Sequence, residues 1–173
     1  MRLFPSGAAA TRGRCLVAAW FRLALVTVRL RWVGFRATVR RIPGPIVRDV
    51  SVDDIAQARG YAAAIGVAAR VQPLRALCLA QSIALHAWLR QAGIPSELRI
   101  GVGKAGTDLK AHAWVELGGT LVNSRPADLA PFTPLVSVGA HPQHPARADA
   151  PLLTHGIDRA ARHVGGRQLA GVS

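Results

Sequence analysis

The chain has only two cysteines, Cys15 and Cys78, and only two lysines, Lys104 and Lys110. Two cysteines exclude a disulfide scaffold and fit a reducing compartment, so a cytoplasmic protein is expected. No apolar run reaches the roughly 20 residues that a membrane span needs. The longest candidate, CLVAAWFRLALVTV (15–28), follows Arg12 and Arg14, is interrupted by Arg22 and is closed by Arg29 and Arg31. No small-residue cleavage site follows it, so it is not read as a signal peptide. No internal repeat is present. The formal net charge is +13, which suits acidic partners. No nucleic-acid-binding fingerprint accompanies it, and no nucleic-acid partner is expected. His141, His144, His155 and His163 match no metal-ligand spacing, so no metal or other cofactor is expected.

What is present is a chain of 173 residues, half of them hydrophobic, which is enough for one domain with appendages. Residues 1–14 read as a loose, disordered leader. Residues 15–70 form a basic helical region. Its first helix runs from 15 to about 41 and stops before Pro43-Gly44-Pro45. That helix is amphipathic and is read as packing on the core with a solvated arginine face. Docking on a partner or a membrane surface is the less favoured alternative. A second helix, capped by Ser51 or Asp53, covers DIAQARGYAAAIGVAAR.

Residues 71–137 form the core of the reading. QPLRALCLAQSIALHAWLRQAG (72–93) has helical spacing, Pro73 suits its first turn and Gly93 ends it, which puts Cys78 near the helix start. SELRIGVG (96–103) alternates as a strand, and KAGTD (104–108) is a turn. AHAWVELGGTLVNS (111–124) is a hairpin around Gly118-Gly119. After Pro126 the chain reads as irregular, and 138–173 as a disordered Pro-, Ala-, Gly-, His- and Arg-rich tail. Helices followed by three antiparallel strands define an α+β class.

A cysteine at a helix start has a chemical use, because unpaired N–H groups and the helix dipole favour the thiolate. A histidine opposite it completes a Cys–His pair, in which the imidazolium stabilises the thiolate and later protonates a leaving amine. A third group must hold the other ring nitrogen. Cys15 has no histidine-bearing strand after it and is read as packing. Cys78 followed by the His112 strand has the order seen in papain-like and transglutaminase-like hydrolases.

The resemblance narrows further. Cys78-Leu79, Ser82, Ala84-Leu85, Leu89-Arg90, Gly93-Ile94-Pro95, Ile100-Gly101-Val102 and Ala111 to Glu116 resemble the transglutaminase-like leader peptidases of lasso-peptide biosynthesis. The match is to the stand-alone protease subunit of split systems, strongest from about 73 to 135. It implies a cysteine protease that cuts the leader from a ribosomally made precursor peptide. Cys78 would be the nucleophile and His112 the general acid and base. The implied partners are the precursor, a leader-binding recognition protein and the macrolactam-forming cyclase. Two alternatives stand beside it: a non-catalytic adaptor that binds peptide or cyclase, and a transglutaminase-like acyltransferase.

That family usually carries Asn-Asp in the return strand, and the aspartate completes its triad. This chain reads Asn123-Ser124. If Gly118-Gly119 is a two-residue turn, strict alternation puts Asn123 on the His112 face; a three-residue turn puts Ser124 there. Asn123 is preferred as the His112 orienter, with Ser124 and Asp128 as alternatives and Asp108 weaker. The Cys78 backbone N–H is the natural oxyanion donor. Gln72, six residues earlier, has the spacing of a papain-type oxyanion glutamine, although a loop role before Pro73 is favoured. Trp114, His86, Trp88 and Glu116 are read as packing or pairing residues, with Trp114 also able to shield His112.

Overall fold

The computed structural model describes residues 6–74, 77–105 and 108–139. The tail histidines and the disorder expected of the tail beyond Gly139 lie outside them, as does the start of the leader.

Helix α1 spans Ser6–Trp32 and α2 spans Gly34–Val39. The helix therefore begins well before residue 15, and residues 6–14, expected to be loose, form its first turns. Ala8-Ala9-Ala10 supply strong helix formers there. The single helix expected to 41 is broken at Val33, where Gly34 takes a φ of 81°.

Helix α3 (Val52–Val71) is capped by Ser51 and not by Asp53. The Asp54 N–H donates to Ser51 Oγ at 3.1 Å, and the Ser51 N–H donates to Asp54 Oδ2 at 2.8 Å. Arg48 adds a two-pronged bond to the same carboxylate at 2.6 and 2.8 Å. These bonds, Arg48 first, hold Asp54 well below the usual carboxylate range.

Helix α4 (Cys78–Gln91) starts at Cys78 itself. Pro73 is outside it, contrary to the sequence expectation, because α3 runs on to Val71 and Gln72 closes that helix. A four-stranded antiparallel sheet follows: β1 (Glu97–Ala105), β2 (Asp108–Leu117), β3 (Thr120–Leu121) and β4 (Phe132–Val138), in spatial order β3-β2-β1-β4. A short helix, α5 (Pro126–Leu129), links β3 to β4.

Strand β4 lies in the stretch after Pro126 that reads as irregular, and it contains Pro134. Its edge position accommodates the proline. Ile100 pairs with Val136 and Gly101 with Pro134, so Leu135 is an extra residue, a bulge, beside it.

One core joins all these elements. Ala19, Leu23 and Val26 of α1 meet Ala58 and Ile65 of α3, and Ile83, Leu85 and Leu89 of α4. Leu98 and Ile100 of β1, with Ala113, Val115 and Leu117 of β2, complete the cluster. Each large aliphatic side chain buried this way contributes about 1.5–3 kcal/mol relative to exposure. At the edge of this core, Trp88 stacks on Tyr61 with ring centroids 4.1 Å apart, and Arg22 lies 4.9 Å over the Trp88 ring while donating to Gln91. His86 is buried and bonded through Nδ1 to Ser96 Oγ at 2.9 Å. Burial first, and the nearby Arg90 second, push it down to about 3, so it is a neutral packing residue at ordinary pH.

Candidate active site

Cys78 is the first residue of α4, preceded by Leu77, whose side chain caps nothing. The first-turn N–H groups are thus not taken up by a capping side chain, which suits an acceptor of negative charge. Cys78 is half-buried, and both cysteines are free.

His112 lies on β2, paired with Gly101 of β1. Its ring is packed between Trp114 and Phe132, with centroids 6.3 and 5.4 Å away. Trp114 is fixed in turn: its indole N–H donates to Glu116 at 2.7 Å, and Glu116 pairs with Arg99 at 2.7 Å. Gly101 makes room for this arrangement. A Cβ there would lie 2.9 Å from the Trp114 ring and 2.8 Å from the Thr133 carbonyl. The shielding expected of Trp114 and the cross-strand pairing expected of Glu116 thus occur together. Desolvation by these rings lowers the His112 pKa, and the Asp128 charge opposes that shift.

Position 124 and not position 123 touches the imidazole. Ser124 Oγ lies 3.2 Å from His112 Nε2. The preference for Asn123 as orienter is therefore corrected. Glu116 pairs with Leu121 and Leu117 with Thr120, so Gly118-Gly119 is the two-residue turn, at φ 51° and 80°. The alternation argument fails one step later: β3 ends at Leu121 and the chain bends through 122–124.

Asn123 performs another task. Its Oδ1 accepts the Val115 N–H at 2.8 Å, and its Nδ2 donates to Ser82 Oγ at 2.8 Å. Ser82 is fully buried and donates its hydroxyl proton to the Ala113 carbonyl, also at 2.8 Å. Ser82 is one helical turn beyond Cys78. It therefore ties α4 to the neighbour of His112 and to the neighbour of Ser124. No local sequence signal marks this clamp, because its partners Ala113 and Asn123 lie 31 and 41 residues from Ser82.

The remaining candidates fall elsewhere. Gln72 is buried and donates to the Trp20 carbonyl at 3.0 Å, so it anchors α1 and does not furnish an oxyanion donor. Asp128 accepts from the Arg125 N–H at 3.3 Å and reaches His112 only through its field. The side chain of Asp108 lies outside the described residues.

An open cleft of about 430 Å³ runs between α3, α4 and the 122–128 segment. Gln81, one turn into α4 from Cys78, and Ser124 both line it, as do Arg59, Arg125 and Asp128. Among the described residues no group of three His, Cys, Asp or Glu side chains could hold a metal ion. No helix among them is long and apolar enough to cross a membrane.

A cysteine opens α4, and Ser82 ties that helix to the histidine-bearing antiparallel strand, within an α+β fold. Comparison with protein families matches residues 15–137 to the transglutaminase-like superfamily, and the chain belongs to it. That superfamily includes cysteine peptidases and acyltransferases. No characterised protein and no solved structure matches the chain.

The serine at 124 is chemically ambivalent. A hydroxyl can donate to or accept from Nε2, whereas a carboxylate only accepts and so fixes Nε2–H and stabilises the imidazolium. Ser124→Asp is expected to raise the His112 pKa, read by NMR titration of the ring. It should also raise turnover by roughly 10-fold. An unchanged His112 titration in a folded variant would show that position 124 does not govern the imidazole.

Proposed function

We propose that this chain is a cysteine peptidase that removes the leader from a ribosomally made precursor peptide during lasso-peptide maturation. The observation that carries the chemistry is the Ser82 clamp, which ties the Cys78 helix to the residues beside His112 and Ser124. The motif from Cys78 through Glu116 supports the choice of substrate.

In the reaction, the Cys78 thiol gives its proton to His112 as the sulfur adds to the scissile carbonyl. With Nε2 turned to Ser124, Nδ1 is the nitrogen that exchanges the proton. The tetrahedral oxyanion takes the Cys78 N–H and another first-turn donor of α4. Collapse breaks the C–N bond, and the imidazolium protonates the departing core amine. Water, deprotonated by His112, then cleaves the thioester, releases the leader carboxylate and restores the thiol. The cleft beside Gln81 and Ser124 is where the precursor would lie. A leader-binding protein would present it, and a cyclase would take up the freed amine. The reducing cytoplasm would keep Cys78 as a thiol.

The test mixes a precursor, its leader-binding protein and this chain, and follows masses. Free leader carrying a new carboxylate, together with the core peptide, is the expected result. Precursor bound but intact would favour the adaptor reading, which the serine at 124 also suits. Leader transferred to an added amine would favour acyl transfer.

A further inference from the structure

Helix α1 has two apolar faces. Ala19, Leu23 and Val26 enter the core. On the other side Val17, Phe21, Leu25, Val28 and Trp32 are exposed, by 57, 64, 60, 42 and 81 %. At 100° per residue these five positions share an arc of about 80°, in a stripe about 22 Å long. A packed helix needs only the first face, and among the described residues nothing covers the second.

The charge around the stripe has one sign. The first 48 residues contain ten arginines and no acidic residue. Arg14 stands exposed toward one end of the stripe, and Arg31, Arg36, Arg40 and Arg41 stand exposed at the other. None of these five has an acidic partner among the described residues. A second copy of the chain would bring like charges together, so self-pairing is disfavoured. We propose that the outer face of α1, with the arginines that follow it, docks on an anionic lipid bilayer. The stripe would enter the boundary between headgroups and acyl chains. Trp32 would sit at headgroup level, and the arginines would reach up to the phosphates. The inference is independent of the proposed peptidase activity. It reverses the expectation that this helix only packs.

Flotation of the full chain with phosphatidylcholine vesicles, with and without phosphatidylglycerol, tests it. Binding should be at least about 10-fold stronger with phosphatidylglycerol and should weaken as salt rises. The double variant Phe21→Glu, Leu25→Glu should lose at least about 10-fold of that binding while keeping its circular dichroism, since both side chains are exposed. Lipids brominated in the acyl chain should quench a component of tryptophan emission that Trp32→Phe removes. Equal binding to both vesicle types, no binding, or full binding by the double variant would overturn the proposal. So would capture of an acidic amphipathic peptide by a chain that ignores vesicles, which would assign the face to a protein partner.

Discussion

Cys78→Ala yields a folded protein that binds precursor and cuts it at least about a thousandfold more slowly than the parent chain. The expectation follows from position. Cys78 is half-buried at the first residue of α4, and a methyl group there removes the nucleophile without touching the Ser82 clamp. Cys15, by contrast, packs against the core from α1 and has no histidine-bearing strand beside it. A peptide carrying a thiol-reactive electrophile at the scissile position should therefore label Cys78 and spare Cys15. Peptide mapping after labelling reads this directly. Cleavage that persists in Cys78→Ala, or label found on Cys15, would end the assignment.

Asn123→Ala should cost about 2–4 kcal/mol of stability, because it leaves the buried Val115 N–H without its acceptor and Ser82 Oγ without its donor. Asn123→Asp should not rescue the loss. It keeps the acceptor, but Ser82 already spends its proton on Ala113 and cannot also donate to a carboxylate. Ser124→Ala should behave differently, staying within about 0.5 kcal/mol of the parent while shifting the pH profile of cleavage. Denaturant melts beside pH–rate curves separate the two. If Asn123→Ala kept its melt and changed only the pH profile, Asn123 and not Ser124 would be the orienter.

Much of this arrangement can be read from local chemistry. Periodicity locates α3, α4, β1 and β2, and the Ser51 cap needs only its own sequence neighbourhood. The helix-start cysteine and the strand histidine follow from the same local signals. The family resemblance is what supports the proposed substrate, which geometry alone does not carry. Three features escape because their causes are distant. Strand β4 is hidden by Pro134, whose cost disappears only at a sheet edge. Gln72 is claimed by a carbonyl 52 residues away. The choice between Asn123 and Ser124 depends on where β3 stops, and Ser82 on another helix decides that by drawing Asn123 aside.

The shared core of α1 has a consequence for the order of synthesis. Helix α1 leaves the ribosome before α3 and α4, yet Ala19, Leu23 and Val26 find cover only when those helices have followed. During that interval both apolar faces of the helix are bare, on a segment with no acidic residue. A nascent chain in this state is an aggregation hazard, and any surface able to hold α1 early would shorten the exposure. Helix α1 is thus made before the partners that bury it, and the helix that Cys78 opens must arrive to complete that burial.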